Sequence, residues 1–153
     1  MVDDQKLLDR EGLLELARRW LIVLGELDAD GNRNIEALMA MLCDEIDYQI
    51  PFLEQPFHLV GSAAVRTFME SMQGLFSDIR YEVETLYADV AAQTAVFEMT
   101  SSRLILPDRL VYANRYVFRL TARGNQVCAI REYVNPLPAQ ELSRRLKLGS
   151  GNT

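Results

Sequence analysis

"YANRYVFRLTARGNQVCAIREYVNP", Tyr112 to Pro136, is the stretch that decides the fold. Two alternating segments flank the turn signal "RGN", so it reads as a pair of antiparallel strands. In the first, Tyr112, Asn114, Tyr116, Phe118 and Leu120 share one face, with Arg115 and Arg119 on the other. In the second, Cys128, Ile130, Glu132 and Val134 oppose Val127, Ala129, Arg131, Tyr133 and Asn135. One charged residue breaks the apolar-in, polar-out rule of a half-buried sheet. Glu132 is an acid on the apolar face.

The period of two extends back to Ser77. Ile79, Tyr81 and Val83 alternate with Arg80, Glu82 and Glu84, and "AQTAVFEMTSSRLIL" sets Ala95, Phe97, Met99 and Ser101 against Thr94, Glu98 and Thr100. Upstream the period is helical. Leu13, Leu16/Ala17, Trp20, Leu24 and Leu27 form a stripe along Asp9 to Asp28. "DADGNRN" ends it, with Gly31 in the turn and Asn34 as N-cap of a short helix over Ile35 to Leu42. "EIDYQI" puts Ile46, Tyr48 and Ile50 on one side of a strand stopped by Pro51, and "PFLEQPFHLVG" reads as a loop. Ser62 is the predicted N-cap of a third helix carrying Val65, Phe68/Met69 and Met72 on one side. A short helix over Ala139 to Leu148 comes last, before a loose tail at 149–153.

Helices first and then a run of strands joined by short turns predict an α+β domain spanning residues 1–153. Its mostly antiparallel sheet is expected to curl around three N-terminal helices and leave an apolar cavity between the layers.

Composition removes several kinds of chemistry. Formal net charge is −6 and the basic residues are scattered, which disfavours nucleic acid and anionic membranes as partners. No apolar run reaches the roughly 20 residues a membrane span needs, and the acidic N-terminus does not read as a signal peptide, so a cytoplasmic protein is expected. One histidine, His58, and two distant cysteines, Cys43 and Cys128, do not make a metal set. The cysteines read as reduced, buried thiols. There is no Gly-rich phosphate loop and no G-x-S-x-G elbow. No cofactor or metal is expected, and the chemistry falls to carboxylates, tyrosines and a shaped pocket.

Two readings of Glu132 stand at this point. A carboxyl on an apolar face loses hydration, its pKa rises, and it suits general acid–base catalysis beside a tyrosine or amide donor. Alternatively it accepts hydrogen bonds from Asn114 or Tyr116 and fixes the strands. Tyr48 is a donor or a core aromatic, and Asn114 inside a strand requires partners; with Glu132 as the proton carrier, Tyr48, Tyr116 or Asn114 is the candidate to orient the substrate or donate to its oxygen. Tyr116, Tyr112, Met99, Ser101, Phe68 and Trp20 are the expected pocket walls, with His58 at the rim. Arg103, beyond Ser101 on the inner side, reads as a guard of the pocket mouth or as solvated, and the second is favoured.

The "GSAAVRTFMESM" helix, the "YANRYVFRL" strand and the ending "IREYVNPL" together resemble the SnoaL-like branch of the nuclear-transport-factor-2-like superfamily. That branch holds polyketide cyclases, ketosteroid-isomerase-related proteins and limonene epoxide hydrolase; the phenazine-biosynthesis A/B type is closest in flavour. The resemblance runs from about Leu13 to Leu146. It implies a cone-shaped α+β barrel, a deep apolar cavity binding a hydrophobic small molecule, and a homodimer packed through the sheet. It also implies that Glu132 is the acid–base carboxylate of an isomerase, cyclase or condensation enzyme. Met99 and Ser101 stand where the epoxide hydrolase has its arginine and aspartate, which disfavours that reaction. Phe68 stands where the phenazine type has a histidine. Two other functions remain, a non-catalytic binder of a hydrophobic metabolite and an accessory small subunit of an aromatic-ring dioxygenase. The latter is motivated by "DEIDYQIP" and opposed by "IREYVNP".

Overall fold

A computed structural model describes residues 6–150 of the 153. Asp9 caps the first helix, α1 (Arg10–Gly25), by accepting from the Gly12 amide at 2.8 Å. Asn34 caps the short α2 (Ile35–Ala40) by accepting from Ala37 at 3.0 Å. Between them Gly31, at φ 80°, holds a left-handed turn in which a Cβ would stand 2.5 Å from the Phe76 carbonyl oxygen. Only glycine fits there.

The strands are β1 (Leu42–Ile50), β2 (Phe57–Val60), β3 (Phe76–Asp89), β4 (Thr94–Ile105), β5 (Leu110–Arg123) and β6 (Gln126–Val134). α3 (Ser62–Ser71) follows β2, and α4 (Pro136–Ser150) follows β6. The six strands form one sheet in the order β2-β1-β6-β5-β4-β3. Every neighbouring pair is antiparallel except β1 and β6, which run parallel. Register shifts within β3, β1 and β6 bend the sheet around the helices. The α+β curved sheet is therefore as expected, but β2 and β3 remain free edges and no barrel closes.

The inner face is the one that alternation marks. Phe97 and Phe118 stack with ring centroids 5.3 Å apart, and Ile46, Leu120 and Ile130 surround them. α1 covers this floor with Leu13, Leu16 and Trp20, while α3 adds Val65 and Met69. None of the described helices is long and apolar enough to cross a membrane.

Four expectations need correction. Phe57–Val60 is not loop but an edge strand paired with β1, from Ile50↔Phe57 to Asp47↔Val60. Ser62 is the first helical residue rather than the cap, a place taken by Gly61 at φ 91°. α4 begins at Pro136 and continues to Ser150, so residues 149 and 150, expected in the tail, are helical; residues 151–153 lie outside those described. Cys43 and Cys128 are not free thiols but a disulfide joining β1 to β6. The cause is the parallel pairing, which brings their Cα atoms to 5.2 Å although 85 positions separate them in sequence. Cys128 is the extra residue of a bulge, since Ala122 pairs with Val127 and Thr121 with Ala129.

Candidate active site

Between the inner face of the sheet, α3 and α4 lies a cavity of about 330 Å³. Ile50, Phe57, Phe68, Met69 and Val134 supply much of its apolar wall, and Leu142 and Leu146 of α4 cover one side. Its polar groups are few: Glu132, Arg33, Arg103, the phenols of Tyr48, Tyr81, Tyr112 and Tyr116, and the Ser143 hydroxyl.

Strand register sets the central pair. β1 and β6 run parallel with Tyr48 opposite Ile130, so Glu132, two residues on, projects from the same face. The Tyr48 hydroxyl donates to Glu132 Oε2 at 2.5 Å, and among the described residues it is the one hydrogen-bond partner of that carboxyl. The neighbouring positions turn the other way. On the outer face Arg131 Nη1 donates to Asp47 Oδ1 at 2.8 Å, so the arginine beside Glu132 is occupied elsewhere.

Glu132 keeps some accessible surface, but that surface is cavity wall. Burial pushes its pKa above the ordinary carboxylate value, and the Tyr48 hydrogen bond and the charge of Arg103 draw it only part of the way back. Tyr48 is more strongly affected: burial, then the adjacent Glu132, raises its pKa well above that of a free phenol. Tyr116 is raised in the same sense, chiefly by burial. Both remain protonated donors at neutral pH.

The expected site residues divide. Glu132, Tyr48, Tyr116, Tyr112, Phe68 and Met99 line the cavity. Trp20 does not: it is fully buried in the core beneath α1. Nor does His58, which sits on the outer face with Nε2 3.2 Å from Asp47 Oδ2, because β2 turns that side chain away from the helices. Asn114 and Ser101 point inward but lie further along their strands, on a separate polar groove. Asn114 Nδ2 donates to the Tyr112 hydroxyl at 2.9 Å and to the Asn135 carbonyl at 3.0 Å, and its Oδ1 accepts from the Arg115 amide at 2.7 Å. It ties β5 to the end of β6 and does not reach Glu132. Ser101 accepts from Arg103 Nη2 at 3.0 Å, which corrects the solvated reading of that arginine.

Two polar cavity residues are not among the expected site residues. Arg33 lies in the polar turn after α1, where no periodicity marks a face. Tyr81 sits in a strand whose register shifts on both sides. Gly25 makes room for it: a Cβ there would stand 2.7 Å from the Tyr81 ring.

A curved open sheet around an apolar cavity, with helices over its inner face, is the fold of NTF2-like and ketosteroid isomerase-like proteins, as solved structures show. The BvnE pinacolase from Penicillium brevicompactum superposes with a TM-score of 0.76 at 16% identity, over 97% of each chain. An NTF2-like protein from Anabaena variabilis gives 0.67 at 22% identity, over 82% of this chain and 90% of that one. An LEH-like epoxide hydrolase of M. tuberculosis gives 0.67 at 16%, over 92% and 97%. At such identities the likeness is one of fold. No curated protein matches the sequence. The family description "SnoaL-like domain" matches residues 24–130, and the chain belongs to that family. Glu132 lies just outside the matched segment, so the assignment does not depend on it.

Proposed function

We propose that this protein is a cofactor-independent small-molecule enzyme of the isomerase or cyclase type. The observation that supports this most is the 2.5 Å hydrogen bond from Tyr48 to Glu132 inside an apolar wall. A carboxyl whose pKa is raised by burial takes and returns a proton near neutral pH. In its carboxylate form Glu132 removes a proton from the carbon beside a carbonyl of an apolar, cyclic substrate. The bonding electrons pass to the carbonyl oxygen, and Tyr116, kept protonated, donates to the enolate so formed. Where the enolate is conjugated to a C=C bond, returning the proton at its far carbon completes an isomerisation; attack by the enolate carbon on a second carbonyl, whose oxygen takes the proton back from Glu132, completes a cyclisation. Tyr48 stabilises the carboxylate and orients it rather than exchanging protons itself. The sheet-to-sheet homodimer implied by the family belongs to the same reading. Exposed Val83, Tyr87 and Val117 on β3 and β5 would contribute to it, and sedimentation tests it.

The experiment is deuterium uptake into β-tetralone and related cyclic ketones in heavy water, followed by NMR. The protein is expected to accelerate exchange at the carbon beside the carbonyl, and Glu132→Gln to abolish that acceleration while retaining ligand affinity. Equal exchange by both proteins would contradict the proton role.

A second reading is a non-catalytic binder of a hydrophobic metabolite. It is favoured by Phe68 and Met99, which keep the cavity wall apolar. Binding without any accelerated exchange would select it.

A further inference from the structure

The cavity has a charge imbalance that proton transfer does not use. Among the described residues, Glu132 is the one carboxylate in its lining, and it faces two guanidiniums, Arg33 and Arg103. Arg66, Arg115 and Arg131 each have a carboxylate ion-pair partner; neither cavity arginine has one among the described residues. With Glu132 ionised the lining carries one net positive charge, and with it protonated, two. The whole chain carries −6, so the cavity runs against the sign of the protein.

Both arginines are fixed in place. Arg33 is 9% exposed, and its Nε donates to the Leu24 carbonyl at 2.7 Å. Gln73 clamps its backbone, accepting from the amide at 2.8 Å and donating to the carbonyl at 3.0 Å. Arg103 lies over the rings of Phe76 and Tyr112, 5.1 Å and 5.9 Å from their centroids. Its Nη2 donates to Ser101, but its buried Nε has no hydrogen-bond partner. Burying a cation without a counter-charge is costly, and so is orphaning a buried donor. Burial indeed lowers the pKa of Arg33, opposed by the Tyr81 phenol and reinforced by Arg103. What would offset the first of these costs is an anion from outside the chain. One surplus positive charge matches a monoanion, and the planar fork of a guanidinium matches two oxygens on one carbon.

We propose that the substrate is an apolar ring system bearing a carboxylate, and that Arg103, supported by Arg33, binds that carboxylate. The proposal deepens the acid–base reading and rests on it for the identity of the site. Its test, however, is affinity and not turnover.

The probes are naphthoate and naphthamide, which share a ring system and differ in charge, titrated calorimetrically near neutral pH. Naphthoate is expected to bind at least about tenfold more tightly. Arg103→Met is expected to erase the preference, with naphthoate losing more affinity than naphthamide. Arg103→Lys, which keeps the charge and loses the fork, retains part of it; should the Met variant not fold, an unchanged naphthoate affinity in the Lys variant overturns the proposal. Equal affinities in the wild type, binding of neither probe, or a preference that survives Arg103→Met and Arg33→Met alike, overturns it as well. An oxyanion present only in the transition state would give equal affinities, so that outcome counts against a carboxylate substrate. Glu132→Gln separates the two failures. Loss of the acid preference leaves the deuterium result standing, and normal exchange in the Gln variant leaves the acid preference standing.

Discussion

Tyr48 and Glu132 are 84 positions apart in the chain and joined by one hydrogen bond of 2.5 Å. The parallel pairing of β1 with β6 makes this possible, because both side chains leave the same face within two residues of the pair Tyr48↔Ile130. A carboxyl placed there is removed from bulk water by the cavity wall and receives a single donor in return.

Replacing Tyr48 with Phe removes that donor and preserves the ring. The Glu132 pKa is then expected to rise further, since the hydrogen bond is the first influence that lowers it. Turnover is expected to fall by about ten- to a hundredfold. Stability is expected to fall by about 1–3 kcal/mol, because the buried carboxyl is left without its hydrogen-bond partner. Denaturant unfolding of the two proteins at matched pH measures the second effect.

The raised pKa of Glu132 ties stability to pH with a definite sign. The folded protein holds its proton above the pH at which the unfolded chain releases it, so wild-type stability falls as pH rises from the ordinary carboxylate value of 4.5 through the raised one. Glu132→Gln cannot titrate. Its melting temperature relative to wild type is expected to climb across that window and level off above it. A difference that stays constant with pH would show that Glu132 is hydrated.

Much of this geometry is legible in the alternation itself. On β4 and β5 the inward residues Phe97, Met99, Tyr116 and Phe118 are buried as their parity requires, because each alternates with a polar or outward-facing residue. Glu132 stands out for the same reason. What escapes is set by contacts distant in sequence. Four residues after two prolines give β2 no visible period, and its strand state comes from pairing with β1. Arg33 is buried through a clamp from Gln73, 40 positions away. Arg103 shares the inner parity of Met99 and Ser101; its charge suggested solvent where parity indicated the cavity.

Asn114 separates a structural from a chemical role. Asn114→Ala leaves the Asn135 carbonyl and the Arg115 amide without their side-chain partner, and is expected to cost about 1–3 kcal/mol. The Glu132 titration is expected to stay in place, because the amide makes no bond to that carboxyl. A shifted Glu132 titration in this variant would place Asn114 in the site after all.

The bond between Cys43 and Cys128 ties β1 to β6, the strands that carry the central pair. Closing a segment of 85 residues is expected to stabilise the fold by about 2–4 kcal/mol, lost in Cys43→Ser/Cys128→Ser or on reduction. Two thiols reactive without reductant in the native protein would contradict the pairing.

The most direct measurement is an NMR titration of the Glu132 side-chain carboxyl carbon in the ligand-free protein, assigned by its loss in Glu132→Gln. The expected midpoint lies above 4.5 and moves higher still in Tyr48→Phe. A midpoint at or below 4.5, unmoved by Tyr48→Phe, would mean a hydrated acid with no tyrosine partner and no basis for proton transfer in this cavity.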